Sequence, residues 1–158
     1  MVYFYTSFVT PIDGEKFIEL LAVNPKGSGD ISKTNILWRM KAPILQLLTP
    51  LIRDGIIYTV DARNNLFAID AKTGTTLYTK RLKNKYNASP VYAAGHVYFS
   101  SVKGETLVMI AGRALEILAE NKLPGEIYAT PAIAQNSIII RNESTLYRIG
   151  EKLPLPFY

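Results

Sequence analysis

Residues 67–78 read FAIDAKTGTTLY, an apolar run, an Asp-Ala-Lys-Thr-Gly turn and a β-favouring run. A glycine at position 74 supplies the positive φ that a tight hairpin needs. Asp70 and Thr73 carry side-chain oxygens that can accept hydrogen bonds from their own turn. The stretch predicts two antiparallel strands, FAID and TLYTKRL, hinged at AKTG. It is structural punctuation and not a catalytic loop.

Outward from that hairpin the chain repeats itself. TPLIRDGIIYTVDARNNLFAIDAKTGTTLYTKRL (49–82), SPVYAAGHVYFSSVKGETLVMIAGRALEILAENKL (89–123) and TPAIAQNSIIIRNESTLYRIG (130–150) each open on Thr or Ser followed by Pro. An apolar run, a small polar turn, a β-branched or aromatic strand, a second turn and another strand follow. Pro50 to Pro90 is 40 residues, Pro90 to Pro131 is 41, and Tyr58 to Tyr98 is again 40. That period fits four short strands with tight turns and leaves no room for a crossover helix, which is the blade of a β-propeller. IIYTVD (56–61) and VYFSS (97–101) are bulky on both strand faces, as suits a sheet covered on each side by a neighbour.

The expectation is an all-β, partial β-propeller of about four antiparallel blades, the first and last incomplete. One propeller segment spans 1–158, with approximate blades at 1–41, 42–82, 83–123 and 124–158. VYFYTS (2–7) matches a second-strand position, so the chain starts mid-blade. LAVNPKGSGDISKTNILW (21–38) is a long-turned version of the central hairpin. The last unit runs out after TLYRIG (145–150), since the two prolines of EKLPLPFY discourage a ladder strand. The strand count is about fourteen: three, four, four, three. LVMIAGRALEILAENKL (107–123) has helical propensity, but its place in the repeat predicts a hairpin turning at Gly112.

Composition excludes several chemistries. The 158 residues are 48% apolar and 20% charged, which describes one folded domain. No apolar run approaches the roughly 18 residues of a bilayer span. The start, MVYFYTSFVTPIDGEK, lacks a basic n-region and cleavage site, so a soluble chain without an export address is expected. With no cysteine, disulfides, thiolate catalysis and Cys-ligated zinc are ruled out. The single histidine, His96, opens a strand-like run and reads as structural or solvent-facing. The net charge of +5 is densest at KRLKNK (80–85), a solvated loop or else a patch for an anionic partner. The tyrosines read as parts of apolar strand runs and not as a platform for stacking single-stranded bases, so no nucleic-acid partner is expected.

AIDAKTGTTLY (68–78), with Trp38 of ILWRM in the preceding unit, resembles the repeat of the bacterial PQQ-like (pyrroloquinoline-quinone-type) β-propeller proteins. Tyr78 stands where that repeat usually has tryptophan. NPKGSGDISKTNILWR, YNASPVYAAGHVYF, ILAENKL and STLYRIG are similar to the C-terminal half of the envelope-associated subgroup. The resemblance implies seven or eight blades, a periplasmic or envelope setting, and usually no enzymatic activity. About four blades are present here, so a homodimer completing an eight-bladed ring is one expectation, and a fragment of a longer product is the other.

A non-catalytic binding or scaffold module with a protein or small-ligand partner is the leading expectation. Its candidate ligand-binding residues share one rim of the channel by their place in the repeat. They are Arg63, Asn64 and Asn65; Lys103 and Glu105; Arg141 and Asn142, followed by Glu143. Lys85, Tyr86, Asn87 and Tyr128 join them from between blades. No catalytic residue, metal ligand or cofactor is assigned. The alternatives are a quinoprotein-type dehydrogenase fragment, which would need a calcium site and a catalytic carboxylate, and a carbohydrate-active propeller. For the latter, Asp13, Glu15 and Glu19 are the neighbouring carboxylates. Asp30 in GSGD lacks the alternating ligands of a calcium loop.

Overall fold

A computed structural model describes residues 1–9, 16–42 and 48–150. Asp13, Glu15 and the closing EKLPLPFY lie outside the described residues. Among the described residues, fourteen strands form four antiparallel sheets in which strands adjacent in sequence are adjacent in the sheet. The first is β1 (Val2–Val9), β2 (Lys16–Val23) and β3 (Ile36–Ala42). The second is β4 (Leu51–Arg53), β5 (Ile56–Val60), β6 (Asn65–Asp70) and β7 (Thr76–Arg81). The third is β8 (Val91–Ala93), β9 (His96–Ser100), β10 (Glu105–Ile110) and β11 (Ile117–Lys122). The fourth is β12 (Ala132–Ala134), β13 (Ser137–Arg141) and β14 (Leu146–Gly150). These are propeller blades of three, four, four and three strands, as the repeat predicts.

The helix-prone segment is the β10–β11 hairpin, with Val108 opposite Ala119 and a bulge before Met109. The same bulge recurs in blade 2 after Ala68 and in blade 1 after Ala22. Burial of Leu107 and Met109 between sheets outweighs a propensity difference of a few tenths of a kcal/mol per residue.

Core packing alternates along the strands. Ile56, Tyr58 and Val60 of β5 pack with Val97, Phe99 and Met109 of blade 3. Ile57, between them in sequence, packs with Leu20 of blade 1 and with Ile69. All five residues of β5 are buried, because each face meets a neighbouring blade.

The quoted hairpin does two jobs. Asp70 Oδ1 accepts from the Lys72 and Thr73 N–H groups, and Thr73 Oγ1 from the Thr75 N–H. Gly74, at φ 76°, lies beneath the Trp38 ring so closely that a Cβ there would stand 2.7 Å from a ring carbon. Trp38 Nε1 donates to the Ala71 carbonyl at 3.0 Å, as does the Tyr3 hydroxyl. The turn of one blade is therefore the dock for an aromatic ring from the preceding blade. In the next interface Tyr78 takes the place of Trp38, donating to the Gly112 carbonyl at 3.4 Å. Tyr58 accepts the Gly112 N–H at 2.9 Å.

The Thr/Ser-Pro openings also join blades. The Thr49 N–H donates to Ser89 Oγ at 2.8 Å, and the Ser89 N–H to Thr130 Oγ1 at 3.1 Å. Each hydroxyl satisfies the backbone of the equivalent residue one blade earlier, beside the innermost strands β4, β8 and β12.

Candidate functional site

The turns after β5, β9 and β13, and the connections that run from β7 to β8 and from β11 to β12, share one end of the blade stack. Backbone hydrogen bonds tie them together there. The Leu82 N–H donates to the Asn64 carbonyl and the Val102 N–H to the Lys85 carbonyl, each at 2.8 Å. The Leu123 N–H donates to the Gly104 carbonyl at 3.0 Å. Gly104 and the connection are so close that a Cβ would overlap the Leu123 and Gly125 carbonyls.

All twelve candidate rim residues, Glu143 among them, fall at this end, but they differ in what their side chains do. Arg63, Lys85, Lys103, Arg141 and Tyr128 are exposed. Asn64 has a left-handed backbone at φ 62°, which Asn adopts more easily than most residues. Asn65 donates to Asp61 Oδ2 at 2.9 Å, while Asp61 Oδ1 caps the Arg63 and Asn65 N–H groups. Asn142 is the counterpart of Asp61 two blades on and is itself buried. Its Oδ1 accepts from Ser144 and Thr145, and its Nδ2 donates to the Pro124 carbonyl at 2.7 Å. Tyr86 is buried too, leaving Asn87 half-buried beside it. Tyr86 and Asn142 thus hold the loops together from within, while the exposed cations and Tyr128 form the reachable surface.

Charges of both signs mix on this surface. Lys103 faces Glu126 and Lys122 faces Glu105, each at 3.7 Å. Such exposed pairs contribute little to stability. Tyr128 donates to Glu126 Oε2 at 2.7 Å, and that bond holds its hydroxyl above the ordinary tyrosine range. Glu126 N–H donates to Glu143 Oε2, which with its own backbone bond lowers the Glu143 carboxyl. The basic run 80–85 is not a bare cationic patch. Leu82 is buried, Asn84 donates to Glu105, and Glu105 and Glu120 line the same small cleft as Lys80, Arg81 and Lys83. Tyr86 closes that cleft, and burial, then Glu105 and Glu120, push its hydroxyl up to about 12.

Other sequence candidates lie elsewhere. Glu19 sits on blade 1, with Arg39 Nη1 at 3.1 Å. Asp30 belongs to the β2–β3 loop, where it caps Ser32. His96 meets Tyr98 edge-on, with ring centroids 6.4 Å apart. Among the described residues no group of three His, Asp or Glu side chains stands close enough to hold a metal ion. One contact went unread in the sequence. The Arg53 guanidinium lies 4.4 Å from the centre of the Tyr92 ring, joining β4 to β8 at the opposite mouth. The 40-residue equivalence of Ile52 and Tyr92 was the available signal.

A family model described as "Outer membrane protein assembly factor BamB" matches residues 22–118, the span holding the docked hairpin, blade 2 and blade 3 up to the start of β11. The chain belongs to that family. The outer membrane protein assembly factor BamB of Moranella endobia (strain PCIT) is 26% identical over 134 residues, 84% of this chain and 34% of the relative. The chain therefore spans about a third of the length of the curated relative it matches. The crystal structure of BamB from Moraxella catarrhalis superposes with a TM-score of 0.66 at 15% identity, covering 85% of this chain and 42% of that one. A europium-containing methanol dehydrogenase superposes at 0.50 with 14% identity, over 78% of this chain and 23% of that one. At these identities the solved structures show the propeller fold alone.

Proposed function

We propose that this chain is a non-catalytic propeller segment acting as a protein-binding scaffold in the bacterial cell envelope, in the assembly of outer-membrane proteins. The observation that carries the reading is membership of the BamB family across the central blades. The contact surface is the end holding Arg63, Lys85, Lys103, Tyr128 and Arg141. There exposed cations, carboxylates and one aromatic ring stand on turns anchored from beneath, a composition suited to a polar protein interface.

The reading includes a completed ring. Val2 and Phe4 of blade 1 are 48% and 44% exposed, and Leu146 of blade 4 is 69% exposed. A second copy would cover these outward faces and bring the count to eight blades. Light scattering over a wide concentration range tests this, a particle of twice 17.6 kDa being expected and a monomer throughout removing the second copy.

For the scaffold itself, photo-crosslinking residues placed at Arg63, Lys103 and Arg141 are compared in cells with the same residue at Lys72 and Arg113 on the opposite end. Crosslinks to envelope proteins concentrated on the first three are expected. Equal labelling at both ends, or none at the first three, would sink the assignment.

A further inference from the structure

The third interface in the stack differs from the first two at one repeated position. Register places Trp38 opposite Ala22, Tyr78 opposite Ala68, and Ala119 opposite Val108. Where blades 1 and 2 each send an aromatic ring into the next blade, blade 3 offers a methyl group. Two neighbouring positions shrink as well, Leu66 corresponding to Thr106 and Phe99 to Ile140. Ala68 corresponds to the larger Val108, Val97 to the larger Ile138, and Met109 to Ile149 of similar size. Met109 is fully buried in its interface, whereas Ile149 is 47% exposed in its own. The result, among the described residues, is a cleft of about 500 Å³ lined by Tyr98, Val108, Ala119, Ile138, Ile140 and Ile149. A second cleft shares Tyr98, Ile138 and Ile149 and continues it inward along the same interface.

We infer that this interblade slot is a binding site for an aromatic side chain, Trp or Tyr, presented by a protein partner. The chemistry follows from the repeat itself. A large-to-small replacement in a packed interface leaves apolar space suited to the group that the larger side chain would have supplied. At the two equivalent places within this chain that group is an indole and a phenol. Access follows from position. Residue 119 is on β11, the outermost strand of its blade, so the slot opens on the outer circumference, with Thr106 and Leu123 at its edge nearest the rim turns. The walls are apolar apart from Thr106, Asn121 and the Tyr98 hydroxyl, which leaves polar edges for the ring's single donor. The source of the ring rests on the protein-binding reading above; its fit to the slot does not.

The test titrates the full chain with acetyl-Gly-Trp-Gly-amide, acetyl-Gly-Ala-Gly-amide and free indole, followed by nuclear magnetic resonance. The Trp peptide is expected to bind about tenfold or more tightly than the Ala peptide and to shift the signals of Tyr98, Val108 and Ile149. Ala119→Tyr, which supplies the ring from within, is expected to abolish that binding and to raise Tm. Should that variant fold poorly, Ile149→Asp at an exposed wall is expected to weaken the Trp peptide about tenfold without changing the circular dichroism. Indistinguishable Trp and Ala peptides would overturn the inference. Binding of indole alone would overturn it by making the slot a small-molecule pocket. A fall in solution mass on Ala119→Tyr would overturn it by assigning the slot to a second copy. None of these outcomes touches the rim crosslinks, so the two readings fail separately.

Discussion

The two ends of each blade spend their turns differently. At the end of the quoted hairpin, the turn of blade 2 is a socket: Gly74 lies under Trp38, and the Ala71 carbonyl takes hydrogen bonds from both Trp38 and Tyr3. At the rim end, the turns are tied down by Asp61, Asn142 and Tyr86 from below, and their outward side chains are exposed, Lys103 and Tyr128 meeting Glu126 at the surface. The lesson is that the most conspicuous motif in the sequence marks packing between blades. The residues we propose to meet a partner are the inconspicuous ones on the other end.

That contrast is exposed to measurement by substitution, from severe to negligible. Trp38→Ala should cost about 3 kcal/mol in denaturant unfolding, since it removes a docked ring and one of the two hydrogen bonds to the Ala71 carbonyl. A loss below about 1 kcal/mol would mean the socket is ornamental. The rim end's largest effect should appear only in alkali. The Tyr86 pKa is raised from 10.0 to about 12, so the stability it contributes is whole below pH 10 and is lost as pH rises toward 12. A rise of that size corresponds to about 2–3 kcal/mol, and Tyr86→Phe should flatten the stability curve across that window. Identical alkaline curves for the two proteins would show that Tyr86 is not sealed beneath the rim.

Gly74→Ala should cost about 2 kcal/mol, combining a left-handed backbone with a methyl group pressed on the indole. Its tryptophan emission should shift, because Trp38 is the one tryptophan in the chain. Asn142→Ala should cost about 1 kcal/mol through loss of the turn cap and the Pro124 bond, read from the denaturation midpoint. Arg63→Ala should stay within about 0.5 kcal/mol while reducing partner crosslinks at neighbouring rim positions. Destabilisation by Arg63→Ala comparable to that of Gly74→Ala would erase the difference between the two ends.

Much of the fold was legible because a propeller repeats its reasons. A 40-residue period, Thr/Ser-Pro openings and Gly-bearing turns gave the strand order, and the repeat decided the 105–122 hairpin against its own helical propensity. The local behaviour of Asp70, Thr73 and Gly74 was legible for the same reason, since a turn's hydrogen bonds are made within a few residues. The site was less legible. Position in the repeat collected the rim residues at one end but could not separate Arg63, which faces water, from Tyr86 and Asn142, which are buried. That distinction depends on how a connection from one blade closes over the turn of another, a contact between residues such as Pro124 and Asn142 that no single unit encodes. The purpose of the Thr/Ser-Pro openings was hidden likewise, because the hydroxyl and the N–H it serves lie 40 or 41 residues apart.

That last feature bears on how such chains lengthen. Ser89 offers its hydroxyl to the blade before and its N–H to the blade after, so a unit of this kind carries a plug and a socket of fixed handedness. A tandem duplication of the gene segment would copy both halves of the joint at once. The new unit would fit its neighbours at birth, with no compensating substitution. Families of different blade number become accessible by recombination alone, and sequence drift on the rim can follow later without disturbing the seam.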